Sequence, residues 1–99
     1  MRIEWLSGAF DDLDRLETFL RQQSPLAADR LFLEIADALR ILEDFPQIGR
    51  LAPDVGEDFR EYLVPVSSSG YVVLYMVRDA ILVVRIRHQR ENEYPATSP

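Results

Sequence analysis

The 99-residue sequence contains no cysteine and no lysine. Without cysteine the chain has no disulfide, no thiolate nucleophile and no cysteine-ligated metal. Without lysine it has no lysine base and forms no Schiff base, and arginine does not substitute there because it effectively never loses its proton. One histidine is too small a ligand set for a structural zinc site. We therefore expect no metal and no other cofactor.

Long apolar runs are also missing, and none approaches the length of a membrane span. The first five residues, Met1-Arg2-Ile3-Glu4-Trp5, become polar too early for a signal peptide. The chain length suits one hydrophobic core. We expect a single cytoplasmic domain over residues 1–99 without membrane contact.

The charges are distributed unevenly along the chain. The net charge is −6, yet all 11 positive side chains are arginines, and five of these lie between Phe59 and Arg90 against only Glu61 and Asp79. Blocks of opposite sign favour two surfaces with different partners. The acidic isoelectric point, near 4.6, argues against non-specific nucleic-acid binding by the whole molecule. We expect no direct sequence-specific DNA binding by this chain alone.

Two helices follow a short strand at residues 2–5. Apolar residues at helical spacing predict a first helix from Ser7 to about Gln23. Ser24-Pro25 is a helix start signal, so a second helix should run to about Asp44, where Phe45-Pro46 ends it. The tight connection predicts an antiparallel helical hairpin. The second helix should bury Ala28, Leu31, Phe32, Ile35, Leu39 and Leu42.

The sequence pattern predicts an irregular loop at residues 47–58, followed by three strands. The strands are Phe59–Val66, which Pro65 moves toward a sheet edge, then Tyr71–Val77 and Ile81–His88. Ser67–Gly70 reads as a turn, and residues 91–99 as a flexible tail. The predicted fold class is α+β, in the order β-α-α-β-β-β, with a mostly antiparallel sheet and the helical hairpin packed on one face.

Strict alternation in the last strand predicts two different faces. Leu82, Val84, Ile86 and His88 should lie under the helices, and Ile81, Val83, Arg85 and Arg87 on the opposite face. Arg85 and Arg87, with Arg90 beyond them and Arg60 from an earlier strand, would form a cationic platform for phosphates or carboxylates. The alternative is an ordinary solvated face whose arginines pair with glutamates.

Three further groups have both a structural and a functional interpretation. His88 is either a hydrogen-bonded structural residue or a general base. Tyr62, Tyr71, Tyr75 and Tyr94 are either packed in strands or platforms for stacking bases. Leu26 and Leu33 lie opposite the core stripe of the second helix, where they are either scattered surface leucines or a ridge for a partner helix.

An ordered series of short motifs resembles the RelE/ParE superfamily of bacterial toxins. The series includes Trp5-Leu6-Ser7, Pro25-Leu26-Ala27-Ala28, Phe45-Pro46-x-x-Gly49-Arg50, Phe59-Arg60, Tyr71-x-Val73-x-Tyr75, and Ile81-Leu82-x-Val84-x-Ile86-x-His88-Gln89-Arg90. It covers roughly residues 3–90. The Pro-x-x-Gly-Arg helix exit and the His-Gln-Arg ending are similar to the ParE branch.

This resemblance implies the toxin of a type II toxin–antitoxin system. It implies a ParD-like antitoxin as partner in a hetero-oligomer, and growth inhibition by poisoning DNA gyrase in its cleaved-DNA state. That mode needs no catalytic residue in the toxin. The implied target-binding residues are Arg60, Arg85, Arg87, His88 and Arg90, and the residues expected to bind the antitoxin are Leu26, Leu33, Tyr71 and Tyr75.

Two alternatives remain open. The first is a ribosome-dependent mRNA endoribonuclease of the RelE type, in which Arg60 and His88 would be catalytic. Against it, the chain has no lysine, and Gln89 stands where the nuclease pattern would have tyrosine. The second is a non-toxic degenerate member that still binds antitoxin, since Glu91 and Glu93 weaken the basic end of the chain.

Overall fold

The protein is described by a computed structural model covering residues 1–66 and 69–96. The observed elements are β1 (Ile3–Trp5), α1 (Ser7–Arg21), α2 (Pro25–Ala38), α3 (Ile41–Asp44), β2 (Arg50–Leu51), β3 (Phe59–Val66), β4 (Ser69–Val77) and β5 (Ile81–His88). They form a five-stranded sheet in the order β1-β5-β4-β3-β2. Only β1 runs parallel to its neighbour, because two helices separate it from the antiparallel strands. The predicted α+β class and the mostly antiparallel sheet are confirmed.

The helical hairpin covers one face of this sheet. Its two helices pack against each other, and α1 also packs along β5. Ser24 caps α2 through a hydrogen bond that its hydroxyl accepts from the Ala27 amide (3.2 Å), and Pro25 starts the helix as predicted. The first helix begins at Ser7 as predicted and ends at Arg21, two residues before its predicted end. The second helix is interrupted near Arg40, so its predicted last turn is the separate α3.

The core lies between the hairpin and the inner face of the sheet. Five of the six residues predicted for the second helix's core are fully buried, and Phe32 alone remains partly exposed while packing on Trp5, with 5.1 Å between the ring centroids. Two predictions around the strands need adjustment. The loop at residues 47–58 contains the short strand β2. Residues 67 and 68 of the turn predicted at Ser67–Gly70 lie outside the described residues, and Ser69 and Gly70 belong to β4, which begins two residues before the predicted Tyr71.

A β-bulge corrects the predicted faces of the last strand. Leu74 pairs with Arg85 and Tyr75 with Val83, so Val84 is an extra residue in the ladder. The bulge reverses the alternation. Before it, Ile81 and Val83 are buried under the helices, contrary to the prediction; after it, Ile86 and His88 lie on the helix side, as predicted. Arg85 and Arg87 therefore belong to the opposite, outer face, but Ile81 and Val83 do not.

Candidate functional site

Arg85, the first predicted cation of the outer face, is held by a buried carboxylate on α1. Its Nε lies 2.7 Å from Oδ2 of Asp12, and its Nη2 lies 3.0 Å from Oδ1. Asp12 is 3% exposed and the Arg85 side chain 19%. The hydrogen bond to Asp12 raises the pKa of Arg85 above its usual value. This two-point pair leaves little of the guanidinium available to a partner.

Asp12 also completes the hydrogen bonding of β5. Strand β1 pairs with β5 only as far as Val83, so beyond that residue the edge of β5 that faces away from β4 has no neighbouring strand. Oδ2 of Asp12 accepts a hydrogen bond from the Ile86 amide (2.8 Å), and Arg15 donates to the Ile86 carbonyl (3.4 Å). Side chains of helix α1 thus hydrogen-bond the backbone amide and carbonyl of Ile86, which would otherwise be unpaired at the edge of the sheet. Gly8 leaves room for this arrangement, since a Cβ there would lie 3.1 Å from the Arg85 side chain.

Arg87, the second predicted cation, is also enclosed. Its side chain is 12% exposed, lies 3.8 Å from the Glu61 carboxylate and donates to the Glu91 carbonyl. Glu61 in turn accepts hydrogen bonds from Arg50 (2.9 Å) and from the Tyr94 hydroxyl (2.7 Å). Arg85 and Arg87 therefore belong to a network of internally paired charges on the outer face of the sheet.

The segment after β5 covers this network. The Tyr94 ring lies 5.7 Å from the Arg85 guanidinium and 5.4 Å from that of Arg87, and the Pro95 carbonyl accepts from Arg85. Glu91 binds Arg15 (2.7 Å) and the His88 amide (2.8 Å). We expected residues 91–99 to be a flexible tail; residues 91–96 make these contacts, and residues 97–99 lie outside the described residues. The prediction of an open cationic platform formed by Arg85 and Arg87 is wrong.

His88 and Arg90 lie on the helix side of the sheet, at the end of β5. The His88 ring meets Tyr71 edge-on, with 5.3 Å between the centroids, and its Nδ1 accepts a hydrogen bond from the Arg90 amide (3.1 Å). Arg90 is exposed, and within residues 1–66 and 69–96 it has no ion-pair partner. Both residues border a hollow of about 420 Å³ beside Phe19 and Gln23. Of the five predicted target-binding residues, Arg90 is exposed, whereas Arg60, Arg85, Arg87 and His88 are partly buried.

Arg60 lies far from His88, and its side chain binds the backbone of the loop before β2. Its Nη1 donates to the carbonyls of Gln47 (3.1 Å) and Gly49 (2.7 Å). Arg60 is paired with Tyr75 and His88 with Tyr71, on opposite sides of β4. Tyr75 and Tyr71 are four residues apart along β4, and β3 and β5 are two strand spacings apart. The Cα atoms of Arg60 and His88 are therefore separated by about 16 Å. Arg60 and His88 are therefore not brought together as a catalytic pair.

The four residues predicted to bind antitoxin fall into two groups. Leu26 and Leu33 are exposed on α2, as their position opposite the core stripe suggested. Tyr71 and Tyr75 are buried, and the Tyr75 hydroxyl donates to the Pro46 carbonyl (2.8 Å) and accepts from the Gly49 amide (2.9 Å). The prediction that Tyr71 and Tyr75 contact the antitoxin is therefore wrong, because both side chains belong to the core.

The roles of Asp12 and Glu61 were not predicted from the sequence. The signal for Asp12 was nevertheless present. It lies within the apolar stripe Ala9, Leu13 and Leu16, at positions that all face the core. An acid inside such a stripe must find a buried partner, since an unpaired buried charge is costly. Glu61 carried no comparable signal, because it follows Arg60 on a strand that has no clear polar and apolar alternation at this point.

No group of three or more histidine, cysteine, aspartate or glutamate side chains with metal-binding geometry occurs in the described part of the chain. No helix of the described residues is long and apolar enough to cross a membrane.

The order of the sheet strands and the helical hairpin on one face are those expected of a small toxin of the RelE/ParE class, and comparison with known proteins shows that class directly. Residues 3–93 match the family described as the ParE toxin of type II toxin-antitoxin system, parDE. The chain therefore belongs to the ParE toxin family of type II toxin–antitoxin systems. Such a toxin has a protein antitoxin as its partner.

Named relatives are similar over most of their length. Toxin RelE2 of Caulobacter vibrioides is 36% identical over 88 residues, which span 88% of this chain and 93% of the relative. Toxin RelE3 of the same organism is 35% identical over 81 residues (81% and 85%), and Toxin RelE1 is 36% identical over 81 residues (81% and 84%).

We predict that the protein loses stability above about pH 10 through its tyrosines. Burial raises the pKa of Tyr71, Tyr75 and Tyr94, and for Tyr94 the hydrogen bond to Glu61 adds to the effect. A tyrosine whose pKa is higher in the folded protein keeps its proton while the unfolded chain loses it. The free energy of unfolding should then fall as pH rises, by up to about 1.4 kcal/mol per pH unit for each such tyrosine.

Urea unfolding between pH 8 and pH 11 measures this directly, because no lysine or cysteine titrates in that range. Tyr94→Phe should make the decline shallower. A free energy of unfolding that stays level up to pH 11 would contradict the assigned burial of these phenols.

Proposed function

We propose that this toxin stops growth by binding DNA gyrase and trapping its cleaved-DNA state, without chemistry of its own. The observation that carries the proposal is the separation of Arg60 from His88, with each side chain held by partners of its own fold. A nuclease needs groups that converge on one phosphate. A binding-type inhibitor needs only an accessible surface of suitable charge.

The proposed toxic surface is the end of β5. Arg90 is its exposed cation, and His88 lies beside it at the hollow described above. Arg85, Arg87 and Arg60 contribute indirectly. The first two hold the segment 91–96 in place, and Arg60 holds the loop before β2. Arg90 would bind a phosphate or carboxylate of the gyrase–DNA complex.

We propose that a ParD-like antitoxin covers the helical hairpin in the hetero-oligomer. Leu26 and Leu33 lie seven residues apart on α2, so they project from one side of the helix as a narrow apolar ridge. An antitoxin segment that folds on binding would bury both leucines.

A second candidate function is mRNA cleavage on the ribosome. The observation that favours it is that the similar Caulobacter proteins are named RelE toxins. Under this candidate, Arg60→Ala or His88→Ala should abolish transcript cuts. Under the gyrase proposal, no transcript cuts should appear even with the unaltered toxin.

The gyrase proposal is tested by incubating purified toxin with gyrase, ATP and supercoiled plasmid. We expect linear DNA with covalently bound protein to appear after denaturation. Arg90→Ala should require about tenfold more toxin for the same yield, because one charged contact is lost. Arg2→Ala is the matched control, since Arg2 is an exposed arginine that pairs with its neighbour Glu4.

Unchanged supercoiling activity at saturating toxin would overturn the gyrase proposal. If induced expression also caused neither growth arrest nor RNA cuts, the chain would be the degenerate, non-toxic member.

The antitoxin surface is tested in the same assay by adding the protein encoded beside the toxin. The unaltered toxin should be neutralised at a fixed ratio of the two proteins. Leu26→Ser/Leu33→Ser should still trap cleaved DNA but should need at least tenfold more antitoxin, because its apolar ridge is lost. Phe10→Ser, which alters an exposed apolar residue on α1, is the control. Equal neutralisation of the double variant and the unaltered toxin would place the antitoxin elsewhere.

A further inference from the structure

The turn after β5 carries Arg90 and is closed by hydrogen bonds within the protein. The Glu91 amide donates to the His88 carbonyl (2.9 Å), which closes a four-residue turn with Arg90 at its third position. The Arg90 amide donates to Nδ1 of His88 (3.1 Å), and the Gln89 amide donates to the Gly70 carbonyl of β4 (2.9 Å). Every amide from Gln89 to Glu91 therefore has a partner within the protein.

The Glu91 side chain ties this turn to helix α1. Its Oε1 accepts a hydrogen bond from the His88 amide (2.8 Å), and its Oε2 pairs with Arg15 of α1 (2.7 Å). The Glu91 carbonyl also accepts from the Arg87 guanidinium. The side chain is 29% exposed, so these contacts use most of it. One acid thus holds both ends of the turn that presents Arg90.

Two acids near Arg90 have different surroundings, although the sequence suggests that both weaken the basic end of the chain. The Glu91 carboxylate is bound to Arg15 and to the His88 amide. Glu93 is exposed, and among the described residues its carboxylate belongs to no ion pair. The two glutamates carry the same charge two residues apart, but only the first is built into the turn.

We propose that Glu91 is a positioning residue for Arg90 and that it acts through the turn it shares with His88. This inference rests on the proposed gyrase function. Arg90 binds the phosphate or carboxylate of the target, whereas Glu91 holds the backbone from which Arg90 projects. His88 contributes through the Nδ1 acceptor that holds the Arg90 amide. A fixed backbone lowers the ordering cost of binding by a long, mobile side chain.

The charge of Glu91 makes the direction of the effect informative. A carboxylate near Arg90 repels an anionic partner, so an acid without a positioning role would weaken binding. Its removal would then leave toxicity unchanged or increase it. If Glu91 positions Arg90, its removal lowers toxicity even though the surface becomes more positive.

The first measurement is the gyrase cleavage assay described above. Glu91→Ala should require about tenfold more toxin than the unaltered protein, as Arg90→Ala does. The double variant Glu91→Ala/Arg90→Ala should be no weaker than Arg90→Ala alone, because both changes remove the same contact. Glu93→Ala is the matched control, since it removes an equal charge outside the turn, and it should need no more toxin than the unaltered protein. Retained antitoxin binding shows that each variant is folded.

The second measurement does not depend on gyrase. Nuclear magnetic resonance relaxation should give the Arg90 amide an order parameter of about 0.85 in the unaltered toxin and in Glu93→Ala, and below about 0.6 in Glu91→Ala. An Arg90 amide that stays equally rigid in Glu91→Ala would overturn the inference.

If Glu91→Ala does not fold, variants of His88 test the same turn. His88→Asn offers an amide oxygen where Nδ1 stood, so it should retain the potency of the unaltered toxin. His88→Phe retains a ring beside Tyr71 but has no acceptor for the Arg90 amide, so it should need about tenfold more toxin. The opposite order would show that the His88 ring matters only for packing, and would overturn the inference.

The outcomes separate this inference from the function beneath it. If the unaltered toxin traps cleaved DNA and Glu91→Ala is as potent as Glu93→Ala, Glu91 does not position Arg90, and the proposed function stands. A double variant much weaker than Arg90→Ala would also overturn the inference, because Glu91 would then act on something other than Arg90. If the unaltered toxin traps no cleaved DNA, both fail.

Discussion

The Asp12 carboxylate is the constraint on which the rest of this structure depends. It is buried on α1 and binds the Arg85 guanidinium, the Arg15 side chain and the Ile86 amide. These contacts fix α1 along the edge of β5 where β1 has ended, and thereby orient the segment that follows β5. Removing one partner of such a buried pair leaves an uncompensated charge, which is more costly than losing a surface salt bridge.

This arrangement shows that the arginine-rich part of the sequence does not form an exposed cationic surface at Arg85 and Arg87. The excess of arginine in the last third of the chain predicts an exposed cationic platform, yet Arg85 and Arg87 are neutralised by Asp12 and Glu61 and covered by Tyr94. The Arg90 end of β5 and the ridge of Leu26 and Leu33 remain accessible. If the toxin acts by binding, as we propose, separate surfaces can serve separate partners, since each surface needs only shape and charge. The proposed gyrase and antitoxin contacts use different parts of the molecule.

Much of the fold could be predicted because local signals agreed with one another. Ser24-Pro25 marks the start of α2, and period-two alternation locates β3 and β5 to the residue. The faces of β5 could not be predicted in full, because the bulge at Val84 depends on pairing with β4 and leaves no mark in the alternation itself. The site was less predictable for a similar reason. Whether Arg85 points to solvent or to Asp12, 73 residues earlier, is decided by packing of α1 on β5, which no short motif encodes.

The most direct test is a double-mutant cycle of Asp12→Ala and Arg85→Ala, with the free energy of unfolding measured by urea denaturation. We expect Asp12→Ala to cost about 3 kcal/mol, because it leaves Arg85 and the Ile86 amide without their acceptor. Arg85→Ala should cost less, and the double variant should be about as stable as Asp12→Ala alone, a coupling of about 2 kcal/mol. Additive effects, or an Arg85→Ala variant as stable as the unaltered protein, would show that Arg85 is not held by Asp12 and is free to bind a target.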